Sequence, residues 1–239
     1  MDTTLSVTTA NIHGDQGHPH LRAPRWLVRR RIRRAMGFPG VVFGQELSPR
    51  NTFLVGDSNY AAEWAQLADD TGRRTCGSRH ETPVSIPKGQ GTLTYYVPVH
   101  AGKAGVSPAR GFQVVKTREP DGRLVAYINC HPLSKPRVGV RDSAWRIVHY
   151  RLYLERLAAE VADLVAGGFV VVFGGDMNHL APLPVKVPGA RKLVSKGLDH
   201  LWVVLPEGVE LGRVRTRMVR RRVVMDHPIL HASFVVSSK

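Results

Sequence analysis

The chain is 239 residues long, with 43% hydrophobic and 22% charged residues, a balance that belongs to globular proteins and excludes disorder as the main state. Two cysteines, Cys76 and Cys130, exclude a disulfide framework, and no apolar run reaches the ~18 residues that cross a bilayer. Lys and Arg number 34 against 19 Asp and Glu, a formal net charge of +15, which points to polyanionic partners rather than basic ones.

The first expected strand is Leu5–Ala10, and MDTTLSVTTANIHG at 1–14 lacks a basic region followed by a long apolar one, so no secretory signal is expected. With so few cysteines, this predicts a reducing, cytoplasmic setting and no stable membrane insertion. Arg22 to Arg34 then holds seven arginines in thirteen residues, interleaved with Trp26, Leu27, Ile32 and Met36, which predicts a short helix with a basic face. A strand is expected at Val41–Gly44. Gly72 to Gly111 is rich in Gly, Pro, Ser and Thr and is read as surface loops around one strand, Thr92–Val97. Phe112–Thr117 and Leu124–Asn129 follow as a hairpin turned by Pro120-Asp121-Gly122. A helix is expected from an Asp142 or Ser143 cap to Val165, stopped by Gly167-Gly168, with Ile147, Tyr150, Leu154, Leu157, Val161 and Leu164 as its apolar stripe. The last strands are Phe169–Phe173, Leu201–Leu205, Val214–Val224 and His231–Val236. In Val214–Val224 arginines alternate with other residues, and Arg213 to Arg222 carries six arginines in ten residues. Many strands with few strong helices predict an α/β protein of two sheets with helices outside.

Polar residues recur where these strands end. Asn11 follows the first strand and Glu46 the second; His131 follows Leu124–Asn129; Asp176 and Asn178 follow Phe169–Phe173; Asp199 precedes Leu201–Leu205; Asp226 and His227 lie between the last two. Rigid strands that each deliver one polar group to a common rim make a preorganised site. Several carboxylates gathered in a basic protein are explained by a hard divalent cation, Mg²⁺ or Mn²⁺, held by carboxylate and amide oxygens. Arginine's planar fork matches phosphate oxygens, so Arg29, Arg30, Arg33, Arg215, Arg217 and Arg220 are the candidate nucleic-acid contacts.

The pieces TTANIHG at 8–14, GQEL at 44–47, INCHP at 128–132, GGDMN at 174–178, GLDHLWVV at 197–204 and MDHPIL at 225–230 resemble, in order, the endonuclease/exonuclease/phosphatase superfamily of metal-dependent phosphoesterases. The resemblance runs from end to end and implies one domain over 1–239, a four-layered α/β sandwich of two mixed β-sheets packed face to face with flanking helices. It implies that Glu46 is a metal ligand, with Asn11 and Asp226 helping to hold the metal site. It further implies that Asp176 orients the attacking water, that Asn178 and His131 act around the phosphate, and that His227 is a catalytic histidine supported by Asp199. His13 departs from the pattern, since an acidic residue often stands there. The implied activity is hydrolysis of phosphodiesters in DNA or RNA; DNA is the partner expected before RNA, and a monomer is the default expectation. A phosphatase or phosphodiesterase acting on small molecules or phosphoinositides, and a non-catalytic nucleic-acid-binding protein, are the other readings.

Overall fold

The computed structural model describes residues 2–12, 25–46, 59–77, 81–219 and 227–239. Along them run β1 (Asp2–Asn11), α1 (Arg25–Met36), β2 (Val41–Gln45), α2 (Asn59–Asp70), β3 (Arg73–Cys76), β4 (Val84–Pro87), β5 (Thr92–His100), β6 (Arg110–Arg118) and β7 (Leu124–Cys130). They continue with α3 (Ser143–Ala166), β8 (Val170–Asp176), β9 (Arg191–Lys196), β10 (Asp199–Val204), β11 (Val209–Val219) and β12 (Ile229–Ser238). Two six-stranded sheets result, ordered β11-β12-β1-β2-β4-β3 and β5-β6-β7-β8-β10-β9. Each is mixed: β1 and β2 pair in parallel in the first sheet and β7 and β8 in the second, while the remaining pairs are antiparallel.

Alternation along the strands separates three apolar layers. Leu5, Val7, Phe43, Leu230 and Phe234 face Val115, Tyr127, Val172 and Leu201 between the sheets. On the outer face of the first sheet, Leu27, Val28, Ile32 and Met36 of α1 and Trp64 and Leu67 of α2 cover Ala10, Val42, Val219 and Ile229. Outside the second sheet, Tyr150, Tyr153, Leu154, Leu157, Val161 and Leu164 of α3 cover Val114, Ile128 and Val171. The expected α/β sandwich of two mixed sheets with helices outside is the fold observed.

Several expectations need correction. The segment read as loops around one strand contains β3 and β4, which pair with each other and join the first sheet through β2. Each is only four residues long, too short to show a period. α2 and β9 were also unforeseen. Asp142 does not cap α3 through its side chain: it sits in the left-handed region and its carboxylate accepts a hydrogen bond from Lys103 Nζ at 2.8 Å. Ile147 is half-buried, and Tyr153 takes the place in the stripe expected of it. Strand β11 begins at Val209, five residues before the expected start. His13, the Asp226 and Arg220 candidates, and the expected strand beyond Val219 lie outside the described residues.

A candidate active site at the seam between the sheets

Six candidate side chains converge where the two sheets meet, three from each. Asn11 ends β1, Glu46 follows β2 and His227 precedes β12 in the first sheet; His131 follows β7, Asp176 ends β8 and Asp199 opens β10 in the second. All six are buried. Parallel pairing of β1 with β2, and of β7 with β8, brings the C-terminal ends of these strands to one rim.

The glycines of the GGDMN segment set how closely the sheets approach. Gly175 lies at φ 131°, and a Cβ there would stand 2.2 Å from the Cys130 carbonyl oxygen and 2.9 Å from Gln45 Nε2. Only a residue without a side chain lets β8 pass this close to β7 and to the first sheet. The seam is then stitched by buried amides. Gln45 Nε2 donates to Asn129 Oδ1 at 2.6 Å, Thr9 donates to Gln45 Oε1 at 3.1 Å, and Asn129 Nδ2 donates to the carbonyls of Gly44 and Pro83, both at 2.8 Å.

Above this stitch the polar groups pair. Asn11 Nδ2 donates to Asp176 Oδ2 at 2.9 Å, and the backbone N–H of Asn178 donates to Asp176 Oδ1 at 2.9 Å, so both carboxylate oxygens are fixed. His227 Nδ1 meets Asp199 Oδ2 at 2.9 Å, while its Nε2 faces Asp176 Oδ2 at 3.7 Å. His131 Nε2 lies 3.6 Å from Glu46 Oε1 and 3.8 Å from Asp176 Oδ2. Burial pushes the Asp176 carboxyl up to about 7, helped by Asp199 and Glu46 and opposed by His227 and the Asn178 N–H. Asn178 is brought beside the group but not into it: its amide Nδ2 donates to the Pro132 carbonyl at 3.0 Å and holds the loop after His131.

Three residues here were not foreseen. Arg110 Nη1 reaches His131 Nδ1 at 2.9 Å and also pairs with Glu81, whose Oε2 lies 3.3 Å from the same nitrogen. Arg31, fully buried, donates through its two terminal nitrogens to the main-chain carbonyls of Asn11 and His227. Its signal was present in the sequence. Arg31 falls on the helical face of Leu27, Val28, Ile32 and Ala35, where a charge is unexpected, but it stood among six other arginines. Glu81 and Arg110 both lie in the stretch read as loops, which carried no such signal.

Glu46, His131 and Asp176 offer ligand atoms that all lie within 4.8 Å of one another. Two buried carboxylates and an imidazole so placed fit a divalent cation, which would neutralise carboxylates that burial otherwise penalises. Of the expected ligands, Glu46 belongs to this group, Asn11 is joined to it through Asp176, and Asp226 lies outside the described residues.

No protein-family model matches the sequence, and no curated protein matches it. Solved structures do. TDP2 from C. elegans superposes with a TM-score of 0.67 at 18% identity, over 97% of this chain and 75% of that one. TDP2 from D. rerio, complexed with a single-strand DNA product, gives 0.61 at 13% identity over 99% and 100%. ANGEL2, a 2′,3′-cyclic phosphatase, gives 0.67 at 14% over 98% and 96%. An endonuclease/exonuclease/phosphatase protein from Beutenbergia cavernae gives 0.63 at 16% over 98% and 72%. At these identities it is the architecture that is shared, and the chain has the fold of the endonuclease/exonuclease/phosphatase, DNase I-like superfamily.

Proposed function

We propose that the protein is a divalent-metal-dependent phosphodiesterase that hydrolyses nucleic acid, DNA before RNA, with Mg²⁺ or Mn²⁺ as its ion. The observation that carries this reading is the convergence of Asn11, Glu46, His131, Asp176, Asp199 and His227 from six strand ends into one buried polar group. Similarity of fold to TDP2 and ANGEL2 supports it, as does the net charge of +15.

This reading gives each side chain a task. Glu46 and Asp176, with His131 beside them, would hold the ion. When bound, such an ion draws charge from the phosphate and eases departure of the leaving oxygen. Asp199 accepts the Nδ1 proton of His227, which leaves Nε2 as the basic nitrogen turned toward Asp176. A water between them would lose its proton to Nε2 as it attacks phosphorus, and Asp176 would orient it. Arg110 Nη1 and Glu81 Oε2 both meet His131 Nδ1 and fix the ring, which leaves Nε2 turned toward Glu46 and Asp176. From there Nε2 would meet the ion or a phosphate oxygen beside it. No covalent enzyme intermediate is required.

The test is a cleavage time course on supercoiled plasmid, linear duplex, single-stranded DNA and RNA. Each runs with Mg²⁺, Mn²⁺ or EDTA, beside Asp176→Asn. Cleavage that needs the ion and disappears in the variant is expected. Failure on every polymer, with turnover of 2′,3′-cyclic phosphates or small phosphate esters instead, would replace nucleic acid by a small-molecule substrate.

A further inference from the structure

The described arginines of α1 and β11, separated in sequence by some 180 residues, form one surface. By register, Arg217 pairs with His231, Arg215 with Ser233 and Val219 with Ile229, so these side chains share one side of the sheet. Val219 and Ile229 belong to the layer covered by α1, which places Arg215 and Arg217 on that same outer side. The helix brings Arg29, Arg30, Arg33 and Arg34, all exposed. The junction is a contact: the Arg217 guanidinium lies 5.6 Å over the ring of Phe38, which directly follows the last turn of α1, and Phe38 stacks on His231 at 4.7 Å. Among the described residues none of these six arginines is paired with a carboxylate.

This surface starts at the active site and leads away from it. β12 begins two residues after His227. At about 3.3–3.4 Å per residue, Arg217 is ~13 Å along the strand from His227 and Arg215 ~20 Å. Arg31, one turn from the exposed arginines of α1, touches the carbonyls of Asn11 and His227, so the helix is anchored at the site. Trp26, 62% exposed at the start of α1, presents a ring on the same helix. Charge on an edge strand guards against strand pairing between molecules, and that alone would explain one or two arginines on β11. It does not explain four more on a neighbouring helix.

Building on the proposed nuclease activity, we infer that this face is a track for the substrate strand beyond the scissile phosphate: a single-stranded or unpaired polynucleotide leaves the site over α1 and along the β11 edge. Its phosphates meet arginines set in file, and Trp26 offers a surface for a base. A line of arginines two strand residues apart suits successive phosphates of an extended strand. A small phosphate ester would never reach it.

The experiment is fluorescence anisotropy in EDTA with labelled single-stranded DNA of about 4, 8 and 16 nucleotides, at several salt concentrations. The wild type is expected to bind the longest at least about 10-fold more tightly than the shortest. Arg215→Gln with Arg217→Gln should remove most of that gain and flatten the log–log salt slope by about 1.4, two phosphate contacts at ~0.7 each. Arg29→Gln with Arg33→Gln, on the other element, should act in the same direction, which guards against a local folding defect in β11. Unchanged length dependence and slope in both variants would overturn the track. So would tighter capture by phosphatidylserine vesicles than by the longest oligonucleotide, which would assign the face to a membrane. A wild type that cleaves DNA while its variants bind like it loses only the track. A wild type that binds through these arginines and cleaves nothing loses only the nuclease reading.

Discussion

His227 and Asp199 meet at 2.9 Å, although they come from different sheets. The bond crosses the seam and sets which nitrogen of the imidazole carries the proton. His227→Ala is expected to lower turnover of a chromogenic phosphodiester by about 10²–10⁴-fold. Asp199→Asn should lower it less, and also shift the pH–rate profile, since the imidazolium loses its counter-charge. Because His227 belongs to no apolar layer, the melting curve of the alanine variant should stay close to that of the wild type. A large loss of stability there would give the pair a structural role instead.

Glu46 is one of the two carboxylates of the candidate cation site. Glu46→Gln keeps its size and removes its charge. Calorimetric titration with Mn²⁺ should show affinity reduced at least about 10-fold, with the far-ultraviolet spectrum unchanged. Equal affinity in variant and wild type would place the ion elsewhere.

Asn129 supplies donors to two carbonyls and an acceptor to Gln45, all buried between the sheets. Asn129→Leu strands these groups away from water at roughly 1–3 kcal/mol each, so a loss of about 3 kcal/mol or more in urea unfolding is expected. A loss under 1 kcal/mol would mean that the seam relaxes to admit water.

His100 sits edge-on to Trp145 and His149, at ring distances of 5.5 Å from each. Burial, and then the neighbouring His149, hold its pKa down at about 4 against an ordinary value of 6.5. The unfolded chain therefore takes up this proton before the folded one. The stability tied to His100 is complete above pH 6.5 and is lost as pH falls toward 4. The ring is only partly buried, so the effect should be about 1 kcal/mol. Urea melts of His100→Gln should show a shallower decline between pH 7 and 4 than those of the wild type. Parallel curves would contradict the shift.

How much of this was legible depended on what the local sequence had to achieve by itself. β1, β6, β7 and α3 carry long, strongly patterned apolar faces, and their positions followed from period alone. β3 and β4 exist because β2 offers them an edge. Their four residues each hold little pattern, so their pairing is a property of the tertiary fold. The site residues were readable because they end strands whose register is fixed by a buried face. Gln45 and Asn129 stood inside the same motifs, yet their bond across 84 residues belongs to the packing of one sheet on the other. Arg31 was hidden differently, as a buried charge in a run of exposed ones.

The division of the reactive group, three side chains from each sheet, bears on how the molecule would fail. His227, the proposed proton acceptor, and Asp199, which sets its tautomer, come from different sheets. A slip of a fraction of an ångström along the interface would separate His227 from Asp199 while every strand kept its own ladder. Under mild chaotrope or heat, turnover should therefore vanish while circular dichroism still reports a native content of strand, and the chemistry becomes the most sensitive gauge of whether the two halves are docked.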